Sequence, residues 1–174
     1  GITGPVVFNV EPGTGPYLEQ LLLDSIPGTS NINTITFNGA GNIIRFSSSA
    51  TAERAVIRLS GTDHTTFNDL TIDAVGAGTY GWGVWLLNGA DSNAFNNCNI
   101  LTSTTSTSTT NFAGVVITGS TTTPNSATAS NCDGNIFNSN TITGGYYGMT
   151  MMSSAAAPIR NNKFINNQVR DFYS

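Results

Sequence analysis

The chain has 174 residues, which suits one domain with a sizeable core. Nearly half of it consists of 25 Thr, 17 Ser, 21 Asn and 19 Gly, whereas charged residues make up only 9%, against roughly 25% in an average soluble domain. So few charges exclude most helical architectures and coiled coils, because exposed helix surfaces are usually built from Glu, Lys and Arg. The net charge of -4 also excludes a basic nucleic-acid binder.

The apolar residues fall in short runs that alternate with turn residues. Each run is rich in β-branched types and is bounded by Gly, Asn, Ser or Pro, a pattern typical of strands joined by turns. Residues 17–25 have a helix-like spacing, but they are also compatible with a strand. The sequence therefore predicts an all-β fold with little or no helix. The runs that indicate this lie, in chain order, at 6–8, 21–23, 34–37, 43–46 and 115–117.

Four segments repeat one pattern along the chain. They read TTFNDLTI at 65–72, NAFNNCNI at 93–100, NIFNSNTI at 135–142 and PIRNNKFI at 158–165. Their alignment places an Asn in every repeat and an Ile four positions later; a Phe precedes the Asn in three repeats and Arg160 does so in the fourth. The predicted Asn column is Asn68, Asn96, Asn138 and Asn161, and the predicted Ile column is Ile72, Ile100, Ile142 and Ile165.

A unit of roughly 20 to 30 residues with short strands and an Asn at a turn predicts a parallel β-helix. Equivalent residues then stack at roughly 4.8 Å, so that Ile and Phe fill the bore while Asn tolerates the left-handed backbone of tight turns. We expect one solenoid domain of about five to seven coils over residues 1–174, with an N-terminal coil or cap at 1–33 and repeats at 34–174. Thr/Ser-rich insertions at 102–111 and 120–133 are expected at one corner.

The pattern leaves the register of one strand open. If Val84 and Leu86 point inward, simple alignment of residues 55–61 turns Arg58 inward as well. A one-residue slip or a bulge in this segment would keep the charge of Arg58 out of the core.

The cadence Asn-x-Ile-x-Asn-Asn-x-Ile, with GVWLLNGAD at 83–91 before one copy, resembles right-handed parallel β-helix repeat proteins of the pectin-lyase-like superfold. The resemblance covers most of residues 34–174 and is strongest to secreted and surface proteins of Bacteroidetes. The opening VEPGTGPYLEQLLL, at 10–23, resembles the first coil of pectinesterase-like β-helices, in which Tyr and Glu serve packing and turns. The resemblance implies a right-handed solenoid and a secreted or cell-surface location. It leaves activity open, because this superfold hosts both enzymes and adhesins.

Two expectations concern the surroundings of the chain. Residues 171–174 stand where a further coil would begin, and an uncapped solenoid exposes strand edges and its bore. We therefore expect either a fragment of a longer protein or end-to-end association with another copy. No apolar run reaches the roughly 18 residues that span a bilayer, so we expect no membrane span.

The ionisable side chains are too scattered to predict an active site, and we expect no catalytic residue and no cofactor. Asp63 and Asp91 are weak candidates for a Ca²⁺ site, since carboxylates are the ligands that this cation prefers, but Asp at a turn usually caps the backbone. His64 is expected to be a solvated turn residue. Cys98 and Cys132 have no metal-ligand spacing, and both a disulfide and two buried thiols stay open, with the thiols favoured.

Aromatic residues are the best candidates for ligand binding. Trp82 and Tyr147 align in one column with Ala113 between them, and Trp85 and Tyr146 lie next to that column. Exposed on a solenoid face, these rings would form a platform for sugars, whose C–H faces pack on aromatic rings. The alternative is that they cover a corner of the core beneath the Thr/Ser-rich loops.

The sequence thus favours a non-catalytic extracellular module with a structural or adhesive role, which binds polysaccharide or cell-surface glycans through Trp82, Trp85, Tyr146 and Tyr147. The alternative is a polysaccharide lyase or glycoside hydrolase whose active site lies partly outside these residues. A shared cluster of carboxylates with an Arg or Lys nearby would favour the enzyme, whereas a face of Thr, Asn and aromatic residues would favour the module.

Overall fold

A computed structural model describes residues 1–173; Ser174, where the expected further coil falls in part, lies outside the described residues. The described chain consists of strands, turns and loops without a helix, as the composition predicts. In chain order the strands are β1 (Val6–Asn9), β2 (Leu21–Asp24), β3 (Ile35–Asn38), β4 (Ile43–Arg45), β5 (Ala55–Ser60), β6 (Thr65–Asn68), β7 (Thr71–Asp73), β8 (Gly81–Leu87), β9 (Ala94–Asn96), β10 (Asn99–Leu101), β11 (Phe112–Ile117), β12 (Ile136–Asn138), β13 (Thr141–Thr143), β14 (Tyr147–Met151), β15 (Lys163–Ile165) and β16 (Gln168–Arg170).

The strands form three parallel sheets that wind into a solenoid. Within a sheet, each strand pairs with the strand at the same position in the coil before and the coil after. The chain visits the sheets in a constant order, so about six coils stack on one another, and the predicted parallel β-helix is confirmed. Sheet A comprises β1, β3, β6, β9, β12 and β15; sheet B comprises β4, β7, β10, β13 and β16; sheet C comprises β2, β5, β8, β11 and β14.

A ladder of Phe rings lines the bore along sheet A. The rings of successive coils have centroids 4.7 to 5.3 Å apart and nearly parallel planes. This distance is close to the spacing of neighbouring strands, so in-register pairing of the backbone by itself brings the rings into contact. A parallel column of Ile side chains from sheet B and the inward-facing apolar side chains of sheet C fill the rest of the bore. The Phe ladder consists of Phe8, Phe37, Phe67, Phe95, Phe137 and Phe164.

The last repeat has a different register from the one predicted. Phe164, and not Arg160, stands opposite Phe137, so the Phe ladder continues to the last coil. In sheet B, Val169 takes the place predicted for Ile165. The strand of the last coil therefore lies four residues further along the chain than the Asn alignment placed it.

Asn161 consequently does not belong to the Asn column. The column lies at the last position of the sheet A strands, where the last coil has Ile165 opposite Asn138. Asn161 lies in the turn before β15, with left-handed backbone at a φ of 59°. Because the last coil carries an Asn pair at 161–162 and another at 166–167, alignment on Asn alone selects the wrong turn. The column is Asn9, Asn38, Asn68, Asn96 and Asn138, and amide hydrogen bonds of 2.8 to 3.0 Å join its first four members.

A two-residue turn carries the chain from sheet A to sheet B in the later coils. Its first residue has a left-handed backbone, with φ between 53° and 58° for Asp69, Asn97, Ser139 and Asn166. Asn, Asp and Ser tolerate this region through local hydrogen bonds of their short polar side chains. The sharp turn directs the second residue of the turn, such as Asn140, into the bore, where it is buried.

Buried Asn side chains hold both turns that flank sheet A. The Oδ1 atom of Asn135 accepts the backbone N–H of Asn93 at 3.0 Å, and its Nδ2 donates to the carbonyl of Ala90 at 2.9 Å. Asn140 makes the equivalent pair of bonds at the other turn. Each side chain thereby satisfies backbone groups that the strand ladders do not reach, which a buried turn requires.

Arg58 points away from the bore. It pairs with Trp85 on the outer side of sheet C, which is the one-residue slip that the sequence left open. The one-residue difference in length between the two coils lies in the turn after β8. Asn88 and Gly89 both have positive φ there, whereas the corresponding turn after β5 has only Gly61. The extra turn residue lets both strands keep their apolar side chains in the core.

The Thr/Ser-rich insertions lie at both ends of β11 and not at one corner as predicted. Residues 102–111 join β10 to β11, and residues 118–135 join β11 to β12. Both loops fold over the outer face of sheet C: the indole N–H of Trp82 donates to Thr110 O in the first loop, and Asn125 of the second donates to the hydroxyl of Tyr147. The two insertions therefore cover the outer face of sheet C.

Phe95→Ala is expected to lower the free energy of unfolding by about 3–5 kcal/mol, because Phe95 is fully buried between two stacked rings in the middle of the Phe ladder. The matched control is Phe8→Ala at the first rung, where 48% of the residue is exposed; it is expected to cost less than half as much. Urea unfolding followed by circular dichroism measures both. Equal losses in the two variants would contradict the burial argument.

The two kinds of Asn are expected to differ in their energetic weight. Asn135→Ala leaves a buried N–H and a buried C=O without partners and is expected to cost about 2–4 kcal/mol. Asn138→Ala removes a side chain from the outer column of the same coil and is expected to cost less than about 1 kcal/mol. Urea unfolding measures both variants. Similar losses of unfolding free energy would show that the buried Asn side chains contribute no more than the outer Asn column.

Candidate functional site

The outer face of sheet C carries both tryptophans, and both are buried. Trp82 has no exposed surface, and Trp85 is 3% exposed. Their rings meet edge to face with centroids 5.3 Å apart, and the indole N–H of Trp85 donates to Thr118 O at 3.0 Å. The tryptophans therefore do not form an exposed platform, and the alternative, in which the Thr/Ser-rich loops cover these rings, is the arrangement found. A bare aromatic face of this size would be costly in water.

The two tyrosines lie further along the same face. Ala113 pairs with both Trp82 and Tyr147, as the sequence alignment predicts. Tyr146 and Tyr147 are half-buried, and their ring centroids lie 4.8 Å apart. The ring of Tyr146 also packs against that of Tyr173 in the last coil, with centroids 5.1 Å apart. The four aromatic residues predicted as one binding surface thus divide into two buried rings and two half-buried ones.

Arg54 is a structural residue of this face that the sequence analysis missed. It is 5% exposed, and its guanidinium lies 3.9 Å from the centroid of the Tyr80 ring. The same group donates to the carbonyls of Thr51 and Thr110, so it links two loops. Burial lowers the pKa of Arg54 from its ordinary value. Its partners come from three coils, and no local pattern in the sequence signals such an arrangement.

A cleft of about 300 Å³ opens on the outer face of sheet C between the loop after β4 and the loop after β11. Its lining combines Arg58, Trp85 and threonines of both loops. The volume is at the lower end of the range of about 300–1,000 Å³ for small-molecule sites. The full lining is Thr51, Ala52, Arg58, Trp85, Thr121 and Thr122, and it is called the Arg58 cleft below.

Arg58 has donor capacity that the protein leaves unused. Among the described residues its guanidinium donates one hydrogen bond, from Nη2 to Asp24 Oδ1 at 3.3 Å, and its Nε is buried without a partner. A guanidinium has five N–H donors in a planar fork. Asp24 itself is largely exposed, so this ion pair is weak and leaves the group able to bind an acceptor in the cleft.

The candidate Ca²⁺ ligands belong to a column of stacked carboxylates. Asp63 Oδ1 accepts the backbone N–H of Asp91 at 2.9 Å, and Asp91 Oδ1 accepts that of Asp133 at 2.7 Å. Burial, together with the charges of Asp63 and Asp133, raises the pKa of Asp91. Within residues 1–173 no group of three or more His, Cys, Asp or Glu side chains is arranged to hold a metal ion. These carboxylates stabilise the turns between sheets C and A by accepting backbone N–H groups of the next coil.

The remaining candidates occupy structural positions. His64 lies in the turn between β5 and β6, with a φ of 55°, and its backbone N–H donates to the backbone carbonyl of Asp91. Cys98 and Cys132 are free and buried, as favoured from the sequence. Burial raises the pKa of both thiols to about 11, so neither is a thiolate at neutral pH. Their side chains fill the bore as small apolar groups.

Comparison of the chain with models of protein families, with curated proteins and with solved structures found no match. Residues 1–173 include no helix with the length and apolarity needed to cross a membrane.

Asp91→Asn is expected to raise the melting temperature at pH 7, because the amide keeps the Oδ1 acceptor for Asp133 and removes a charge that burial and Asp63 disfavour. A raised native pKa means that the stability due to protonation is complete below the unfolded value and is lost as the pH rises through the native value. The advantage of the variant should therefore shrink as the pH falls towards about 3. Calorimetric scans from pH 3 to 7 measure it; a gap that does not depend on pH would contradict the role of this charge.

Proposed function

We propose that the chain is a non-catalytic, extracellular β-helix module with a structural or adhesive role, and that it binds a glycan in the Arg58 cleft. The observation that carries the proposal is the chemistry of the cleft lining. Arg58, whose guanidinium has unused donors, lines one small volume together with Trp85 and the threonines Thr51, Thr121 and Thr122.

A sugar ring matches this lining group by group. Its hydroxyl oxygens accept hydrogen bonds from a guanidinium, its hydroxyl groups exchange bonds with Thr side chains, and its C–H surface packs on an indole. Only a small part of Trp85 is exposed, so in this proposal the guanidinium of Arg58 makes the main contact with the sugar and the ring of Trp85 adds a small apolar contact. This differs from the aromatic platform expected from the sequence.

Binding without cleavage is supported by what lines the cleft. Glycoside hydrolases use a pair of carboxylates, and lyases use a base together with acidic ligands for Ca²⁺. Among the described residues, those that line the Arg58 cleft include no carboxylate. The carboxylates of the Asp63 column instead accept backbone N–H groups, which engages them in the turn.

Kinship and location form part of the same proposal. The GVWLLNGAD segment and the repeat after it resemble secreted β-helix proteins of Bacteroidetes within the pectin-lyase-like superfold. The three-sheet parallel architecture is compatible with that superfold, and parallel crossovers of this kind are right-handed in about 98% of cases. Secretion or cell-surface display follows from the resemblance and suits a surface that is rich in Thr and Ser and poor in charge.

Arg58→Gln is expected to weaken glycan binding at least about tenfold, because a hydrogen bond from a charged group contributes about 1.5–3 kcal/mol. Thr122→Val removes one neutral hydrogen bond at nearly constant volume and is expected to weaken binding by about three- to tenfold. Labelled protein is first screened on a glycan array, and titration calorimetry with the best ligand then compares the variants. Absence of any bound glycan, or unchanged affinity in both variants, would refute the proposal.

Two variants serve as matched controls. Arg170→Gln, on sheet B, is the control for Arg58→Gln. Thr105→Val, in the exposed loop after β10, is the control for Thr122→Val. Both are expected to bind like the unchanged chain. Release of new reducing ends or of unsaturated sugars from the bound polysaccharide would instead support the lyase or hydrolase alternative.

A further inference from the structure

We propose that the Arg58 cleft selects glycans that carry a sulfate ester. The proposal rests on the glycan-binding role proposed above and names the chemical group that the cleft recognises. The strand residues of the cleft, Arg58 and Trp85, belong to β5 and β8. Both are inner strands of sheet C, with β2 on one side and β11 on the other. The surroundings of the cleft are therefore formed by described residues.

The lining of the cleft is rich in hydrogen-bond donors and free of acids. Its polar side chains belong to Arg58 and to three threonines. A guanidinium only donates hydrogen bonds, and a Thr hydroxyl both donates and accepts. The indole N–H of Trp85 is already bound to a backbone carbonyl of the second loop at 3.0 Å. Since none of the described lining residues has a carboxylate, the lining favours a ligand group made of acceptor oxygens.

The charge of Arg58 is poorly neutralised within the described chain. Its bond to Asp24 is long at 3.3 Å, the Asp24 side chain is 76% exposed, and the Nε of Arg58 is buried without a partner. An ion pair so open to water is weak. The residues on either side of Arg58 across the sheet are Leu22 and Trp85, neither of which carries a charge. Apolar neighbours strengthen electrostatic attraction, so an anionic group of the ligand is favoured beside this guanidinium.

A sulfate ester fits both the charge and the placement of these donors. It carries one negative charge, which matches one guanidinium, and three terminal oxygens that accept hydrogen bonds from different directions. The polar lining residues come from three segments of the chain: Arg58 from β5, Thr51 from the loop after β4, and the other two threonines from the loop after β11. A sulfate in the cleft therefore has a donor for each terminal oxygen.

Carboxylate and phosphate groups match this lining less well. A carboxylate has two oxygens in one plane, which a guanidinium alone pairs through two parallel bonds, so the threonines of the two loops would stay unused. A phosphate monoester carries a charge of about −1.5 to −2 at neutral pH. That exceeds the single charge of Arg58, in a protein whose net charge is -4. The sulfate ester is therefore the anionic group that we expect to bind most tightly.

A glycan array tests this selection. It carries galactan, glucan and chondroitin oligosaccharides, each with and without sulfate esters, together with galacturonate oligosaccharides. The protein is expected to bind a sulfated member at least about tenfold more tightly than its sulfate-free counterpart, because hydrogen bonds between charged groups are the stronger ones. Titration calorimetry with this pair measures the ratio of affinities. Raising the salt concentration from about 0.05 to about 0.5 M should reduce the ratio, since salt screens the attraction.

Two variants show whether Arg58 reads the sulfate. Arg58→Gln should bring the affinities for the two ligands to within about twofold of each other. Asp24→Asn removes a competing partner of Arg58 together with a repulsive charge. It is expected to strengthen binding of the sulfated ligand by about two- to fivefold and to leave binding of the sulfate-free ligand unchanged. A merely structural role of Arg58 does not predict this gain.

Matched controls make the same chemical changes elsewhere. Asp69→Asn lies at an exposed turn between sheets A and B, and Arg170→Gln lies on sheet B. Both should keep the two affinities of the unchanged chain, and circular dichroism verifies that each variant is folded.

The outcomes distinguish sulfate selection from glycan binding as such. Equal affinity for the sulfated ligand and its counterpart, lowered in both cases by Arg58→Gln, would overturn sulfate selection and leave glycan binding in place. Tighter binding of galacturonate than of every sulfated member would overturn it as well and assign a carboxylate to the cleft. A sulfate preference that persists in Arg58→Gln would place the sulfate outside this cleft and refute the proposal. Absence of binding to every array member would overturn both proposals.

Discussion

In-register stacking of equivalent residues at the spacing of parallel strands is the constraint on which this structure depends. The backbone repeat sets the distance between coils, and planar rings such as those of Phe67 and Phe95 stack at nearly that distance. The turns that flank sheet A repeat in the later coils, so buried Asn side chains recur where backbone groups would lack partners. Packing and polar satisfaction therefore have a common cause, which also explains how a chain with 9% charged residues forms a folded solenoid.

Because the bore is filled by short repeated strands, variation is confined to the outside. The two Thr/Ser-rich loops at the ends of β11 leave the stacked core unchanged and form a roof over sheet C. That roof buries Trp82 and Trp85 and, with the loop after β4, bounds the Arg58 cleft. This cleft, lined by Arg58, Trp85 and threonines, is thus a product of insertions and not of the repeat.

Much of the fold could be predicted from the sequence, because columns of identical residues are a local signal repeated at long intervals. Phe67, Phe95 and Phe137 and the Asn column from Asn68 to Asn138 are in the predicted register. The prediction failed for Asn161, where two Asn pairs in one coil made alignment on Asn ambiguous and only strand pairing through Phe164 decides. The candidate site was less predictable, because exposure of Trp82 and Trp85 depends on loops without a period.

The all-β class, the parallel stacking and most of the residues that face the bore can be derived from the amino-acid pattern alone, since each follows from a periodic short-range signal. The face that the insertions cover, the outward position of Arg58 and the link that Arg54 makes between two loops across Tyr80 became known from the three-dimensional arrangement. The physical reason is that these features join residues from different coils, and the order of coils in space exists only once the strands have paired.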